Sequence, residues 1–176
     1  MKGTLTLALA GNPNAGKTSI FNGLTGARHH VGNWPGKTVS RMEGTFSHGG
    51  LVGRLVDLPG TYSLSALSPE EIITRDYLLS GEADVVLDVV DATNLERNLY
   101  LTAQLLELGI PLVLALNVSD SARAQGIKID RERLSVLLGR APIVETVGHR
   151  ARGLDQLLEA AIGLVGPERA RLRLVA

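Results

Sequence analysis

The chain has 176 residues, of which 44% are hydrophobic and 20% are charged, and its 18 basic residues balance 18 acidic ones. This composition is typical of one soluble globular domain, and the balanced charge excludes a global positive field that would draw the chain to nucleic acid or anionic lipid. Cysteine is absent, which excludes disulfides and cysteine-ligated zinc and fits a reducing compartment. The apolar start lacks the cleavage pattern of a signal peptide, and no apolar run is long enough to span a bilayer.

Apolar strand-like runs alternate with helical patterns along the chain, which predicts an α/β protein with a mainly parallel sheet and helices on both faces. Residues 39–47 alternate in polarity and precede two glycines, so we expect one antiparallel edge strand joined by a hairpin to the next strand. The predicted strands are 5–10, 51–56, 85–90, 112–116 and 142–147, and the predicted helices begin near Lys17, Pro69, Leu95, Asp130 and Leu154.

The first predicted strand leads into the sequence GNPNAGKT at residues 11–18, which has the spacing of a phosphate-binding P-loop. In such a loop, backbone N–H groups surround phosphate oxygens and the N-terminus of the next helix adds positive potential. We expect Lys17 to reach the terminal phosphates and Thr18 to bind Mg²⁺. The predicted nucleotide-binding residues here are Gly11, Asn12, Pro13, Asn14, Ala15, Gly16, Lys17, Thr18 and Ser19.

A second motif, DLPG at residues 57–60, follows the predicted strand 51–56. On its own this tetrapeptide is more often a plain turn, but its place on the strand after a P-loop favours a switch. We expect Asp57 to hold Mg²⁺ through water. The N–H of Gly60 would contact the terminal phosphate, so that the loop senses whether that phosphate is present.

A third motif, NVSD at residues 117–120, follows the strand predicted at 112–116, at the strand end where ligands of such sheets bind. The carboxylate of Asp120 would accept hydrogen bonds from the N1–H and the exocyclic amine of guanine. Asn117 would tie this loop to the P-loop. An Asx turn is the favoured interpretation of this tetrapeptide in isolation, but the order of the three motifs favours a base-reading site.

With these motifs the chain resembles the P-loop GTP-binding proteins, and within them the N-terminal G domain of the ferrous iron transport protein FeoB family. The resemblance extends from about residue 5 to residue 158, and its most specific parts are VGNWPGKTV at 31–39, DLPGTYSL at 57–64 and VDATNLERNLYL at 90–101. It implies a P-loop NTPase G-domain fold, with a GTP-binding domain at 1–165. Residues 166–176 would be a linker or the truncated start of a following helical domain.

The resemblance also implies that residues 27–38 form the first switch loop, in which Thr38 completes the Mg²⁺ coordination when GTP is bound. The glycines and prolines of this stretch suit a mobile loop. Trp34 lies within it, and we do not expect a tryptophan in such a polar stretch to lie in the core. Packing against the domain surface and shaping the nucleotide site are both open roles for Trp34.

Some GTPases use an arginine finger to neutralise phosphate charge, but no arginine of this chain is an obvious finger. Thr61 follows Gly60, where many GTPases carry a glutamine nearby. The resemblance implies a K⁺ ion instead, held by the side chain of Asn14 and the backbone carbonyls of Gly32 and Trp34. A turn or capping role for Asn14 is an equal alternative. The predicted catalytic residues are Asn14, Lys17, Trp34, Thr38 and Gly60.

Gly148 and His149 follow the last predicted strand, where this class usually has Ser-Ala or a similar pair. A backbone N–H here could still meet guanine O6, but the supporting hydroxyl is missing. Val118 stands where many GTPases carry a lysine along the base. These three positions belong to the predicted nucleotide site, and they predict weak nucleotide binding and fast GDP release.

The implied function is GTP hydrolysis that regulates or drives ferrous iron uptake through an attached membrane permease, at the cytoplasmic face of the bacterial inner membrane, with this fragment itself soluble. The permease and a following helical domain would be partners, a homo-oligomer is left open, and no nucleic acid is expected. One alternative is a free-standing ribosome-assembly or tRNA-modification GTPase, against which residues 32–36 and the lack of a basic RNA-binding domain argue. Another is a nucleotide sensor module, which slow turnover would reveal.

Overall fold

One mixed sheet of seven strands organises the protein in a computed structural model that describes residues 4–26 and 29–166. The strands are β1 (Leu5–Gly11), β2 (His29–Asn33), β3 (Ser40–His48), β4 (Leu51–Asp57), β5 (Val85–Asp91), β6 (Leu112–Asn117) and β7 (Ile143–Glu145). Their order across the sheet is β2-β3-β4-β1-β5-β6-β7. The strands β4, β1, β5, β6 and β7 are parallel to one another. At the other edge, β3 pairs antiparallel with both β4 and β2.

Helices cover both faces of this sheet and enclose two apolar cores. They are α1 (Lys17–Thr25), α2 (Pro69–Leu79), α3 (Leu95–Glu107), α4 (Ser119–Ala124), α5 (Arg131–Leu137) and α6 (Leu154–Val165). One core contains side chains of α2 and α3, and the other contains side chains of α1 and α6. No described helix is long and apolar enough to cross a bilayer.

The central strands are buried on both faces because helices cover both sides of a parallel sheet. Every residue of β1 and β6 is buried, and β5 is buried except for Asp91 at its end. Asp88 is the acidic exception inside β5, where it accepts a hydrogen bond of 2.5 Å from Thr102 Oγ1 on α3. Functional polar groups are therefore expected at the strand ends rather than within the sheet.

The fold class expected from the sequence is confirmed, with differences at one edge and at one connection. Residues 29–33 form β2 instead of a loop, because they pair with β3 in a register that places Val31 opposite Met42. The antiparallel edge therefore has two strands, and the short helix α4 was not predicted. Ala27 and Arg28 of the predicted first switch lie outside the described residues, as do residues 167–176 of the predicted linker.

Candidate functional site

The predicted P-loop, DLPG and NVSD motifs meet at one edge of the sheet. The P-loop joins β1 to α1, Asp57 ends β4, and Asn117 ends β6. These three strands are parallel, so their carboxyl ends lie on the same side of the sheet. Gly16 has φ of 95°, and a Cβ at this position would overlap the Asn117 side chain, so the loop needs glycine here.

The Asn117 side chain connects three loops of this edge and is only 2% exposed. Its Nδ2 donates to the carbonyl of Ala15 in the P-loop at 3.0 Å. Its Oδ1 accepts from Thr146 Oγ1 at 3.1 Å and from the N–H of Gly148 at 3.0 Å. This Asn117 clamp fixes the distance between the P-loop and the two loops that follow β6 and β7.

Lys17 and Asp57 face one another beneath the P-loop, with Nζ and Oδ1 3.9 Å apart. Burial raises the pKa of Asp57 to about 6, and the charge of Lys17 acts in the opposite direction. Asp57 Oδ1 is buried and has no hydrogen-bond partner among the described residues. The site therefore holds a carboxylate whose ionised form is incompletely compensated.

The loop after Asp57 lies directly against the P-loop. A Cβ on Gly60 would stand 3.1 Å from Pro13 Cα, so a side chain there would push the two loops apart. The N–H of Thr61 donates to the carbonyl of Gly11 at 3.3 Å. Thr74 of α2 donates its hydroxyl to the carbonyl of Pro59 at 3.3 Å, which links this loop to the helix that follows it.

At the other end of the site, a strained residue leads into the predicted base-reading carboxylate. Val118 has φ of 51°, a left-handed conformation that is rare for a β-branched residue and that is found most often at functional turns. Val118 is the N-cap residue of α4, whose first turn carries Asp120. Asp120 Oδ2 lies 3.8 Å from Arg150 Nη1, a partner that the sequence did not predict because Arg150 follows a different strand.

The N–H of Gly148 is a donor to the Asn117 clamp. This N–H is therefore engaged within the protein, and the backbone donor to guanine O6 that is expected near Gly148 and His149 stays a prediction. His149 follows it and is exposed. Both residues nevertheless lie beside the clamp, so the loop after β7 borders the same site.

Three predicted residues lie in residues 29–39, outside the hydrogen bonds that join the other loops of the site. Gly32 lies within β2, and Thr38 is exposed. The carbonyl of Trp34 accepts from the N–H of Lys37 at 2.9 Å, and the N–H of Trp34 donates to Val39 at 3.0 Å. Among the described residues, no hydrogen bond or ion pair joins residues 29–39 to the P-loop.

The expectation that Trp34 lies outside the core is wrong, since its side chain is only 6% exposed. Its ring packs against Tyr77 of α2 with centroids 5.4 Å apart, and the guanidinium of Arg41 lies 4.5 Å from its centroid. The sequence around Trp34 is polar, but its burial depends on partners supplied by α2 and β3. Local composition could not reveal them.

The sequence also did not predict a polar cavity of about 180 Å³ beside the P-loop. It lies between P-loop residues 12–15 and the start of α3, and Tyr62 and Arg97 line it. The Arg97 guanidinium lies 4.4 Å from the centroid of the Tyr62 ring. Tyr62 lies in the run 57–64 and Arg97 lies in the run 90–101, and the unusual sequences of these runs were a signal for them.

A family model for ferrous iron transport protein B matches residues 5–161. The chain belongs to this family. The Fe(2+) transporter FeoB of Shigella flexneri is 55% identical over 157 residues, which cover 87% of this chain and 20% of that transporter. The same figures hold for the Fe(2+) transporter FeoB of Salmonella typhimurium, so the chain spans about one fifth of the length of these FeoB relatives.

Solved FeoB structures have the same fold. A GDP-bound mutant of the S. thermophilus FeoB G-domain has a TM-score of 0.84 and 53% identity, and the match covers 89% of this chain and 60% of that one. The cytosolic domain of T. maritima FeoB in its GMPPNP form has a TM-score of 0.89 and 46% identity, with 92% and 64% covered. The resemblance to an N-terminal FeoB G domain, with a P-loop NTPase fold, is confirmed.

Proposed function

We propose that this FeoB G domain binds GTP and hydrolyses it to GDP and phosphate. The Asn117 clamp carries the proposal, because it holds the phosphate-binding loop and the loop of Asp120 in one continuous site. A nucleotide has phosphates at one end and a base at the other, and the site offers complementary groups in that order. The GDP and GMPPNP forms of its solved relatives support a guanine nucleotide as the ligand.

Different residues of the chain would contact the phosphates and the base of the nucleotide. Lys17 would offset charge on the terminal phosphates, and the N–H of Gly60, which lies against the P-loop, would contact the last one. Asp120 would accept from the guanine edge once the base displaces Arg150 from its side. The remaining P-loop residues contribute backbone donors rather than reacting groups.

Thr18 and Asp57 fit a Mg²⁺ ion. Asp57 supplies a buried carboxylate oxygen that lacks a hydrogen bond among the described residues, and Thr18 supplies an exposed hydroxyl at the first turn of α1. Such hard oxygens suit Mg²⁺. When bound, the ion offsets charge on the phosphate oxygens as it develops. Thr38 would join these ligands only after residues 34–39 approach the P-loop.

We also propose a K⁺ site formed by Asn14, Gly32 and Trp34, whose three donors do not come together in this conformation. Asn14 lies on the P-loop with φ of 65°, whereas the carbonyl of Trp34 is engaged by Lys37. Gly32 is held in β2. A K⁺ site would therefore have to form when the first switch closes, and we assign no step of the reaction to it.

Changing Asn14 to alanine tests the cation site. We expect GTP hydrolysis by the unmodified chain to be faster in potassium than in sodium at equal ionic strength, and Asn14→Ala to remove this gain while leaving GDP affinity nearly unchanged. Asn22→Ala, at an exposed position of α1, is the control. If Asn14→Ala keeps the potassium gain, the cation site lies elsewhere.

Base selectivity tests the function itself. Asp120→Ala should remove the preference for GDP over ADP, a change of about one to two orders of magnitude, because charge-assisted hydrogen bonds are among the stronger polar contacts. Calorimetric titration with both nucleotides measures it, with the exposed Asp155→Ala as control. Equal affinity of the unmodified chain for GDP and ADP would contradict a guanine-nucleotide function.

We further propose that hydrolysis regulates or drives ferrous iron uptake through a membrane permease, with this domain at the cytoplasmic face of the bacterial inner membrane and residues 166–176 leading to a helical domain. The support is that its relatives are Fe(2+) transporters and that the 157 matched residues make up only 20% of the relative from Shigella flexneri. Replacing the matching part of the Shigella flexneri transporter with this chain should preserve Fe²⁺ uptake, and adding Lys17→Ala should abolish it. Uptake that survives Lys17→Ala would contradict this role.

A further inference from the structure

Trp34, Arg41 and Tyr77 form a contact that we name the Trp34 clasp. The rings of Trp34 and Tyr77 meet edge to face at 69°, and both side chains are buried, with exposures of 6% and 5%. The Arg41 guanidinium lies 4.5 Å from the Trp34 centroid and 5.9 Å from the Tyr77 centroid. The clasp therefore fastens the predicted first switch to α2.

The same helix is also joined to the second switch. Thr74 of α2 donates to the carbonyl of Pro59, which precedes the phosphate-sensing Gly60. Thr74 and Tyr77 are three residues apart and both are buried, so they lie on one face of α2. A shift of α2 would thus be felt at Pro59 and at Trp34 together.

In the closed clasp, the first switch lacks the contacts that its proposed roles need, since no hydrogen bond or ion pair joins residues 29–39 to the P-loop among the described residues. With Trp34 buried against α2, its carbonyl accepts from the N–H of Lys37, and Thr38 is exposed and makes no hydrogen bond to the P-loop among the described residues. These groups can approach the phosphates only if the segment leaves this position. Closure of the switch on GTP therefore requires the clasp to open.

The clasp also contains an unfavourable contribution to its stability. Trp34 Nε1 and Tyr77 Oη are both buried donors without a hydrogen-bond partner among the described residues. Buried donors without partners are unfavourable, whereas the edge-to-face and cation–π contacts are favourable. Opposed contributions of this kind suit a contact that must open during function.

We propose that Tyr77 and Arg41 are positioning residues that hold the first switch on α2 until GTP engages the second switch. The inference rests on the proposed GTP-binding function and adds to it a coupling between the two switches through α2. GTP would open the clasp because it binds the released form more tightly, whereas GDP lacks the terminal phosphate and would leave it closed. The apparent affinity for GTP is then reduced by the fraction of molecules that are closed.

Trp34 is the only tryptophan of the chain, so its fluorescence reports on the clasp directly. In the nucleotide-free 176-residue chain we expect blue-shifted emission that acrylamide quenches poorly. Mg²⁺ with a non-hydrolysable GTP analogue should shift the emission to the red and expose it to quencher, and Mg²⁺ with GDP should not. Emission that is already solvent-like without nucleotide, or unchanged by the analogue, overturns the proposal.

Two variants should move nucleotide affinity in opposite directions. Arg41→Gln removes a cation–π contact, which should open the clasp and tighten GTP-analogue binding about two- to fivefold with GDP affinity unchanged. Tyr77→Phe keeps the ring but removes the unpartnered hydroxyl, which should close the clasp and weaken analogue binding. In steady state the KM for GTP should fall in Arg41→Gln and rise in Tyr77→Phe, while kcat changes little.

The Arg41 and Tyr77 variants need controls for folding and for specificity. Arg41 is partly exposed and Phe is close in shape to Tyr, so both variants are expected to fold, and circular dichroism checks this. Tyr100→Ala, at a 61% exposed tyrosine of α3, should change nothing. Affinity ratios that are unchanged, or that move in one direction for both variants, overturn the inference alone. A chain that binds no guanine nucleotide overturns the proposed function and the positioning role with it.

Discussion

The carboxyl groups of Asp57 and Asp88 are both buried, but their surroundings suit different roles. Burial raises the pKa of Asp57 to about 6 and that of Asp88 to about 7. Asp57 has Lys17 beside it and an oxygen without a hydrogen bond, which suits a group that receives a cation. Within the described part of the chain, the Asp88 carboxyl has only the Thr102 hydroxyl as its hydrogen-bond partner, and it lies within the sheet, where its neutral form is favoured.

Asp88 should therefore make stability depend on pH. Its folded pKa of about 7 exceeds the ordinary 3.8, so its contribution to stability is fully present below 3.8 and is lost as pH rises through 7. Asp88→Asn should remove that loss, and the free energy of unfolding of the unmodified chain should fall relative to the variant by at most about 1.4 kcal/mol per pH unit. Urea unfolding across this pH range measures the difference.

The comparison isolates Asp88 because the other titrating groups are common to both proteins. Asp76→Asn, at a 61% exposed carboxylate of α2, should show no such trend and serves as the matched control. A difference between Asp88→Asn and the unmodified chain that stays constant with pH would mean that Asp88 is ionised in the folded protein.

The candidate site is built from loops that follow three different strands. The Asn117 clamp joins them, because its amide bonds the P-loop on one side and the loop after β7 on the other. The α2 helix makes a comparable link between Pro59 and Trp34. Nucleotide-dependent motion is thus expected in α2 and residues 29–39, and not in the clamped loops.

Asn117→Ala should loosen the clamped loops. It leaves the carbonyl of Ala15 and the N–H of Gly148 without their partner, so we expect a loss of about 1–3 kcal/mol of stability together with weaker GDP binding. Thr146→Val, which removes one donor to the same oxygen, should have a smaller effect of the same sign. Denaturant unfolding and GDP titration measure both, and a stable Asn117→Ala chain with unchanged GDP affinity would contradict the clamp.

Across the whole molecule, two apolar cores flank one sheet and leave the functional groups at the carboxyl ends of its strands. The sequence could predict those ends well, because the P-loop, DLPG and NVSD motifs are contiguous and their backbone shapes are dictated locally. Gly16 illustrates this, since both its φ and its contact with Asn117 demand glycine. The parallel sheet followed from the same local signals, namely fully apolar strands alternating with helices.

The features that could not be predicted all depend on contacts between distant segments. Trp34 is buried by Tyr77 and Arg41, neither of which is visible in its local sequence. The same holds for the pairing of β2 with β3 and for Arg150 beside Asp120. The sequence predicted that the P-loop, DLPG and NVSD motifs would follow parallel strands at one edge of the sheet, but it did not predict that residues 29–33 form a strand.

The central claim, that this chain hydrolyses GTP at its P-loop, is tested most directly by steady-state release of phosphate from GTP in Mg²⁺. We predict turnover by the unmodified chain and its loss in Lys17→Ala, since Lys17 lies in the P-loop beside Asp57 and no other lysine lies in that loop. Circular dichroism should show that the variant is folded. Equal rates for the two proteins, or no turnover by the unmodified chain, would contradict the account.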